Sequence, residues 1–262
     1  MNITLFTCDK KRHNYLINKL SNISKTLFVV QEYHNNTPKQ NFIKNSNDEG
    51  MNKYFANVQN AEIKIFGDSE IKKKKDNVKI IKILFGELSN YSLSKLSNFL
   101  KSDLYIVFGS SYIKGDLIDF LIKNKAINIH MGVSPFYRGT DCNFWALYDN
   151  NPHLVGATIH MLSKGIDSGP ILFHAMSNIK KNPFEYTMST VKSAFYSLVE
   201  RIKNKSIYEI SPIEQNKNKQ IRYSKSSDFN KKIVKNYFDK EINISDKKFD
   251  ISLLKDPFFF NN

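Results

Sequence analysis

The chain has 262 residues, of which 41% are hydrophobic and 24% are charged, and its formal net charge is +14. This length suits one α/β domain of about 200 residues with a tail, or one large domain. No apolar run is long enough for a transmembrane helix, and the N-terminus MNITLFTCDKK is too short and too soon charged for a signal peptide. Because Cys8 and Cys142 cannot form a disulfide framework, we expect reduced thiols and a cytoplasmic location.

The positive charge comes mostly from lysines mixed with asparagines, as at 72–75 and 216–219. Nucleic-acid surfaces typically interleave arginine with aromatic residues, and these stretches do not. The composition therefore argues against a dedicated nucleic-acid site. A field of this sign would instead help to attract anionic small molecules.

The first thirty residues predict a strand, a helix and a second strand. Apolar residues fill 2–8 and 26–30, and the segment 9–20 between them has helical spacing. A βαβ unit of this kind indicates a parallel, doubly wound sheet, and hence an α/β fold. The turn after the first strand carries neither G-x-G-x-x-G nor G-x-x-x-x-G-K-[ST], which argues against nicotinamide dinucleotide binding and P-loop chemistry.

The chain up to residue 130 continues this alternation. Residues 33–47 are polar and rich in asparagine, and we interpret them as a loop or lid. The other elements predicted in this part are helices at 51–65, 93–100 and 117–122, a charged turn at 71–77, and strands at 78–84, 104–108 and 126–129.

The second half predicts fewer elements. They are a helix at 140–148 capped by Thr140, a strand at 155–162, a tight turn at 163–170, a strand at 171–175, and a long amphipathic helix that begins at Pro183. From residue 206 onward lysine and asparagine dominate. We interpret 206–262 as a short C-terminal extension, whose final phenylalanines should pack on the body or on a partner.

Three polar side chains stand where strands end. Asn128 and His130 close the strand at 126–129, and Asp167 lies in the turn after the strand at 155–162. An amide, an imidazole and a carboxylate delivered in this way can activate an amine and stabilise an oxyanion. Each also has a simpler interpretation, since Asn128 and His130 could form a capped strand-end turn and Asp167 could be an ordinary turn residue.

The motifs around these residues carry a family resemblance. N-x-H at 128–130, P-x-x-R-G at 135–139 and GIDSGPIL at 165–172 follow one another, with His130 and Asp167 separated by 167 − 130 = 37 positions. In this order they resemble the formyltransferases that use 10-formyltetrahydrofolate, which act on glycinamide ribonucleotide, methionyl-tRNA or amino sugars. The resemblance is good over 102–175 and weak over the first hundred residues. It implies a Rossmann-like formyltransferase core, which we place at 1–205.

The resemblance also assigns roles to residues of this chain. It makes Asn128, His130 and Asp167 catalytic, with the amide and the imidazolium holding the oxyanion, and it leaves Arg138 either as a holder of a substrate phosphate or as a surface ion-pair former. It implies that the main chain of two loops holds the pterin ring. The cofactor-binding residues so implied are Ser110, Ser111, Tyr112, Ile113 and Lys114, and Ser163, Lys164, Gly165 and Ile166.

The acceptor is less well defined. The family often has Pro-Ser-Leu-Leu-Pro after the histidine, whereas residues 131–135 are MGVSP, and this departure concerns the amine substrate. We favour an amino sugar carried on a nucleotide. Methionyl-tRNA and glycinamide ribonucleotide are alternatives, weakened by an extension of only 57 residues (262 − 205) and by the missing Gly-rich loop near Cys8.

Other functions remain open at this stage. A hydrolase of formyl-folate could use the same triad, and a non-catalytic module could bind RNA or another anion. His153, His160 and His174 lack metal-ligand spacing with any cysteine, so we expect no metal site and interpret His160 as a structural histidine. A homodimer is compatible with the sequence but not indicated by it.

Overall fold

The structure is a computed structural model that describes residues 1–34, 48–71, 76–240, 242, 244 and 250–260. Most of the loop or lid predicted at 33–47 and of the turn predicted at 71–77 therefore lies outside the described residues. The strands are β1 (Asn2–Cys8), β2 (Thr26–Tyr33), β3 (Val78–Leu84), β4 (Leu104–Phe108), β5 (Ile127–His130), β6 (Tyr137–Gly139), β7 (Ala157–Met161), β8 (Ile171–Ser177), β9 (Arg222–Ser224) and β10 (Phe258–Phe260). The helices are α1 (Lys11–Ser21), α2 (Glu49–Phe66), α3 (Leu93–Leu96), α4 (Gly115–Lys123), α5 (Cys142–Tyr148), α6 (Pro183–Lys203) and α7 (Lys231–Asp239).

Eight of these strands form one sheet in the order β10-β8-β7-β5-β4-β1-β2-β3. The pairs are parallel except for β5–β7 and β7–β8, which are antiparallel. Helices cover both faces, because neighbouring residues of β1 enter opposite cores: Leu5 packs with α1 and α6, and Phe6 packs with α3 and α4. The fold is the doubly wound, mostly parallel α/β fold predicted from the sequence.

The strand order reverses between β1 and β4. The β1 strand is flanked by β2 on one side and by β4 on the other, and β5 follows β4 in parallel. The connections therefore run in opposite directions from this point and leave a crevice at the carboxyl ends of the strands. Asn128 and His130 lie at that edge, at the end of β5.

One local prediction was wrong and another was met only in part. Helix α5 begins at Cys142 with its N-cap at Asp141, so Thr140 lies one residue too early to cap it, and the Thr140 N–H instead donates to the Ser224 carbonyl of β9 (3.0 Å). The helix predicted at 93–100 is the short α3 followed by a tighter turn at Ser97–Phe99.

The residues after 205 join the body at several places. Strand β9 pairs with β6, and β10 extends the main sheet beside β8, so that the terminal phenylalanines pack on the body. The division into a catalytic domain at 1–205 and an extension at 206–262 stays a prediction. Within the described ranges, no helix combines the length and the apolar character that a membrane crossing requires.

Candidate active site

The pairing of β5 decides what surrounds its polar residues. Its antiparallel neighbour β7 places His160 opposite Asn128 and Thr158 opposite His130, while β4 lies on the other side with Val107 beside Asn128. Ile127 and Ile129 are buried in the core between these strands. Asn128 is half-buried, and its amide therefore projects at the open edge of the sheet.

Asp167 reaches the same edge from the turn after β7. Its backbone has φ +46°, the left-handed region that residues other than glycine rarely adopt. Gly169 lets the turn lie directly against β7, since a Cβ at this position would stand 1.8 Å from the Met161 carbonyl oxygen. The conformation of the turn thus depends on a close backbone approach that only glycine permits.

The three residues predicted to be catalytic meet around the Asp167 carboxylate. Its Oδ2 is 3.3 Å from His130 Nδ1, and its Oδ1 is 3.4 Å from Asn128 Nδ2. The backbone N–H of Gly139 also donates to Oδ2 at 3.2 Å. The carboxylate is 15% exposed, so these contacts form in a largely dry site.

His130 carries a proton on both ring nitrogens. Nδ1 faces the Asp167 carboxylate, and Nε2 lies 3.1 Å from the Tyr137 carbonyl oxygen, so both neighbours are acceptors and each requires an N–H. Burial acts to lower the pKa of His130, but the charge of Asp167 outweighs it and holds this pKa well above its ordinary value. The imidazolium in turn holds the pKa of Asp167 well below its usual range, against the opposing effect of burial.

This arrangement differs from the expectation that an N–H of the imidazolium would be free for an oxyanion. Both of its N–H groups are directed at protein oxygens, so what His130 offers the cleft is its positive charge. Gly132 leaves room for the His130 ring in this position, because a Cβ at residue 132 would stand 2.6 Å from both His130 Nε2 and Cys142 Cβ.

His160 is a site residue that the sequence reasoning assigned only a structural part. Its Nδ1 donates to the Met161 carbonyl at 2.8 Å, which leaves Nε2 as an acceptor for the Asn128 amide at 3.0 Å. His160 therefore fixes which way round the Asn128 amide stands. Alternation along β7 places residue 160 on a defined face, but its pairing with residue 128 is a matter of strand register that one sequence does not reveal.

A cleft of about 400 Å³ opens beside the triad. It is lined by residues of both predicted cofactor loops: Ser110, Ser111, Tyr112, Ile113, Ser163, Gly165 and Ile166. The other two predicted cofactor residues lie outside this lining. Lys164 pairs with Asp119 at the surface (2.7 Å), and the Lys114 N–H donates to the Ser89 hydroxyl (3.0 Å).

A buried carboxylate that the sequence did not single out holds the first loop. Glu32, at the end of β2, accepts from the Ser111 N–H and from the Ser111 hydroxyl, each at 2.6 Å, and from the Gly86 N–H at 3.0 Å. Ser111 is therefore committed to shaping the loop. Tyr112 joins the two loops, since its hydroxyl donates to the Lys164 carbonyl at 2.9 Å.

Arg138 is only 9% exposed, which is not the position of a surface ion-pair former. Its guanidinium donates to the carbonyls of Ile166 (2.8 Å) and Asp167 (3.2 Å) and to the side-chain oxygen of Gln220 (3.3 Å). Its predicted contact with a substrate phosphate stays a prediction. Among the residues that the structure describes, no cluster of three or more His, Cys, Asp or Glu side chains could hold a metal ion.

Comparison with known proteins agrees with this architecture. A family model described as formyl transferase matches residues 36–202. A 4-N formyltransferase from Francisella tularensis is 19% identical over 87% of this chain and 77% of its own, with a TM-score of 0.51. An N-formyltransferase from Helicobacter canadensis, in complex with folinic acid and dTDP-3-aminofucose, is 15% identical over 88% and 73%, with a TM-score of 0.50.

A relative with another acceptor has the same fold. Phosphoribosylglycinamide formyltransferase from Anaplasma phagocytophilum is 13% identical over 80% of this chain and 89% of its own, with a TM-score of 0.52. At such identities these likenesses concern the fold alone, whereas the family model spans more than half of the sequence. The chain therefore belongs to the formyl transferase family and is a formyltransferase.

Proposed function

We propose that the enzyme transfers the formyl group of 10-formyltetrahydrofolate to the primary amine of an amino sugar carried on a nucleotide. The observation that carries the proposal is the meeting of Asn128, His130 and Asp167 at one end of a cleft. These groups supply a neutral donor, a fixed cation and a carboxylate. That set suits acyl transfer to an amine, in which negative charge develops on an oxygen and a proton leaves a nitrogen.

The folate fits the cleft in size and in chemistry. A volume of about 400 Å³ lies within the range of about 300–1,000 Å³ usual for sites of small ligands. Residues of the 110–114 and 163–166 segments line the cleft at the carboxyl edge of the sheet, where α/β folds bind ligands. The Helicobacter canadensis relative was crystallised with folinic acid, a folate. The predicted roles of the loop residues as cofactor contacts belong to this proposal.

In the proposed reaction the free amine attacks the formyl carbon of the folate. A bond forms between the amine nitrogen and that carbon, and the carbonyl oxygen becomes an oxyanion. The Asn128 N–H directed at Asp167 is loosely held, with Nδ2 3.4 Å from Oδ1, and can turn to this oxyanion. The His130 imidazolium stabilises the oxyanion through its positive charge. Because its pKa is held low, Asp167 does not keep the proton released by the amine but, directly or through water, passes it on toward N10 of the folate. Collapse of the intermediate breaks the bond to N10, which takes up a proton, and tetrahydrofolate leaves.

An amino sugar is compatible with the comparisons, since the Helicobacter canadensis enzyme of this fold was crystallised with dTDP-3-aminofucose. The phosphoribosylglycinamide formyltransferase of Anaplasma phagocytophilum has the same fold, so the fold alone does not choose the acceptor. The turn after β1 lacks a Gly-rich phosphate loop, which weighs against glycinamide ribonucleotide. The net charge of +14 suits any phosphate-bearing acceptor, including tRNA. Methionyl-tRNA and glycinamide ribonucleotide therefore remain the alternatives that an experiment has to separate.

The deciding experiment offers the enzyme a panel of amines with 10-formyltetrahydrofolate and follows tetrahydrofolate release. The panel contains dTDP-linked 3-amino and 4-amino sugars, UDP-4-amino-arabinose, glycinamide ribonucleotide and methionyl-tRNA. We expect turnover with a nucleotide-linked amino sugar, and turnover with none of these sugars would refute that assignment. The variant His130→Asn should fold normally but lose the transfer reaction, and full activity in it would exclude the proposed catalytic role.

The rival from another class is a member of the family that only binds an anionic partner such as RNA. Steeply salt-dependent RNA binding that survives His130→Asn, together with no turnover in the panel, would favour it. Two further predictions need measurements of their own. Light scattering of the purified protein decides whether it is a homodimer. Fractionation of cells that express it tests the cytoplasmic location suggested by the free thiols of Cys8 and Cys142.

A further inference from the structure

The segment 213–224, which we call the strap, lies against the active-site edge although it follows the part of the chain that the family model matches. At its start Ile213 exchanges two backbone hydrogen bonds with Ile171, at 2.7 and 2.9 Å. At its end β9 pairs with β6, the strand that carries Arg138. The strap is thus anchored on both sides of the Asp167 turn.

Between these anchors the strap holds the turn directly. Gln215 Nε2 donates to the carbonyl oxygens of Asp167 (2.9 Å) and Gly169 (2.8 Å). Two acceptors require the amide nitrogen with its two hydrogens, so the orientation of this side chain is unambiguous. Gln215 therefore holds Asp167, the residue that faces His130, and also holds Gly169 two positions later.

Arg138 holds the same turn from the other side. Its guanidinium spans the carbonyls of Ile166 and Asp167, and Gln220 of the strap accepts a third N–H. The next residue, Gly139, donates its backbone N–H to the Asp167 carboxylate. The Asp167 carbonyl therefore receives donors from both Arg138 and Gln215, and each donor comes from a remote part of the chain.

The turn needs such support for a physical reason. Asp167 has a left-handed backbone that a residue other than glycine leaves readily unless neighbours hold it. The residues before it, Lys164, Gly165 and Ile166, are exposed and pack little. If the turn relaxed, the Asp167 carboxylate would move away from His130 and the imidazolium would lose its counter-charge.

We propose that Gln215 and Arg138 are positioning residues that hold the Asp167 carboxylate against His130, and that the strap is consequently a part of the active site. The geometric claim stands on these hydrogen bonds alone. Only its consequence for turnover rests on the proposed function. The two claims can therefore fail separately, and the experiment reads each of them.

The first measurement is the titration of His130 in the full chain, followed by NMR of histidine-labelled protein and assigned with His130→Asn. The groups that face His130 are Asp167 from the turn, Cys142 from α5, His160 from β7 and His174 from β8. Of these, only Asp167 is held by Gln215. In Gln215→Leu, which keeps the size but removes both donors, we expect the pKa of His130 to fall toward or below its ordinary value.

The matched control is Arg222→Gln in the same strap. Arg222 pairs with Asp149 at 2.7 and 2.9 Å and packs over Trp145, away from the Asp167 turn. This variant should lower the unfolding temperature and leave the titration of His130 unchanged. An unchanged titration in folded Gln215→Leu overturns the proposal, and so does an equal fall in both variants, which would mean general loosening. If Gln215→Leu does not fold, the shorter Gln215→Asn, which cannot span both carbonyls, replaces it under the same criteria.

The second measurement is turnover with the amine identified by the panel. A displacement of about 1 Å at a reacting group can cost about 100-fold in rate, so we expect kcat to fall by about 10- to 100-fold in Gln215→Leu. KM for 10-formyltetrahydrofolate should not change, because Gln215 does not line the cleft. A lowered pKa of His130 with unchanged kcat would support the positioning role of Gln215 and refute the catalytic role of the His130–Asp167 pair.

Arg138→Lys should restore little of the defect of Arg138→Met, since one ammonium group does not reproduce the two hydrogen bonds that the guanidinium makes to the carbonyls of Ile166 and Asp167.

Discussion

The two loops that form the walls of the cleft are held by opposite kinds of polar group. The 110–114 loop directs N–H and O–H donors inward, and the Glu32 carboxylate accepts them. The 163–170 loop directs carbonyl oxygens inward, and Arg138 and Gln215 donate to them. Each loop is therefore held by the complementary kind of group: an acceptor, Glu32, holds the donors of the first loop, and donors of Arg138 and Gln215 hold the carbonyl oxygens of the second.

The difference between the loops indicates a division of labour. The 110–114 loop lines the cleft but contributes no member of the triad, so disturbing it should weaken ligand binding. The 163–170 loop carries Asp167, so disturbing it should slow the chemistry. Changes in KM and in kcat are consequently the measurements that separate the two loops.

The largest effect is expected from Asp167→Asn, which keeps the shape of the second loop but removes its charge. We expect kcat to fall by about 10²–10⁴-fold, the range typical of a lost general acid–base group. The pKa of His130 should fall because the main influence that opposes burial is then removed. Steady-state kinetics and histidine NMR test both outcomes. Retention of wild-type kcat would contradict the catalytic assignment of the 163–170 loop.

Glu32→Gln tests the first loop in the same isosteric way. The amide presents an NH₂ group to donors that the carboxylate accepted, so part-buried N–H groups lose their partner. We expect the free energy of unfolding to fall by about 2 kcal/mol and KM for 10-formyltetrahydrofolate to rise, with kcat little changed.

The control for this variant is Glu62→Gln. Glu62 is also buried and paired, but with Arg12, away from the cleft. It should lose stability in chemical denaturation without a change in KM. If Glu32→Gln lowered kcat and left KM alone, the proposed division between the loops would be wrong.

Much of this comparison could not be read from the sequence, although the fold and the meeting of Asn128, His130 and Asp167 could. Continuous apolar runs predicted buried strands such as β4, and motif spacing brought Asn128 and Asp167 to one edge. The anchoring roles of Glu32, Arg138 and Gln215 were not predicted, because they depend on contacts between residues far apart in the sequence. Glu32 appears in the sequence as the polar end of a strand, and nothing local in residues 213–224 points to a turn almost fifty positions earlier.

Arg138 also shows what the sequence could not reveal, because the motif marks the residue but not its partners. The motif drew attention to Arg138, but the two roles considered for it, a phosphate ligand and a surface ion-pair former, did not include the contacts that the structure shows. Its partners are backbone carbonyls, which every residue has and no sequence pattern marks. For the same reason the short pairing of β6 with β9 was not predicted.

The dependence of stability on pH provides a smaller effect that is specific to the second loop. With its pKa raised by Asp167, His130 stabilises the fold fully below its unfolded pKa of about 6.5, and this stabilisation is lost as pH rises through the folded value. Asp167, with its pKa lowered, stabilises the fold above about pH 3.9 and loses this effect as pH falls through its folded value.

Urea unfolding across the pH range should therefore show that the free energy of unfolding of the wild-type enzyme falls on the alkaline side. In Asp167→Asn the sign should reverse, because a buried histidine without a counter-charge favours its neutral form and gains stability as pH rises. Glu32→Gln should keep the wild-type slope, since it leaves the pair intact. The same alkaline loss in both variants would mean that the His130–Asp167 pair is not its source.

The smallest expected effect concerns the one hydroxyl that bridges the two loops. Tyr112 is 61% exposed, so its hydrogen bond to the Lys164 carbonyl contributes at most about 1 kcal/mol, and Tyr112→Phe should not change the unfolding temperature measurably. If the bridge holds the walls at the spacing that the folate requires, KM should rise by up to about fivefold, the equivalent of that energy. Tyr208→Phe makes the same chemical change on a tyrosine that is 56% exposed and does not line the cleft, and it should leave KM unaltered. Because Tyr112 belongs to the 110–114 loop and Lys164 to the 163–170 loop, a fall in kcat instead of a rise in KM would show that the loops act as one unit, and the division drawn between them would have to be abandoned.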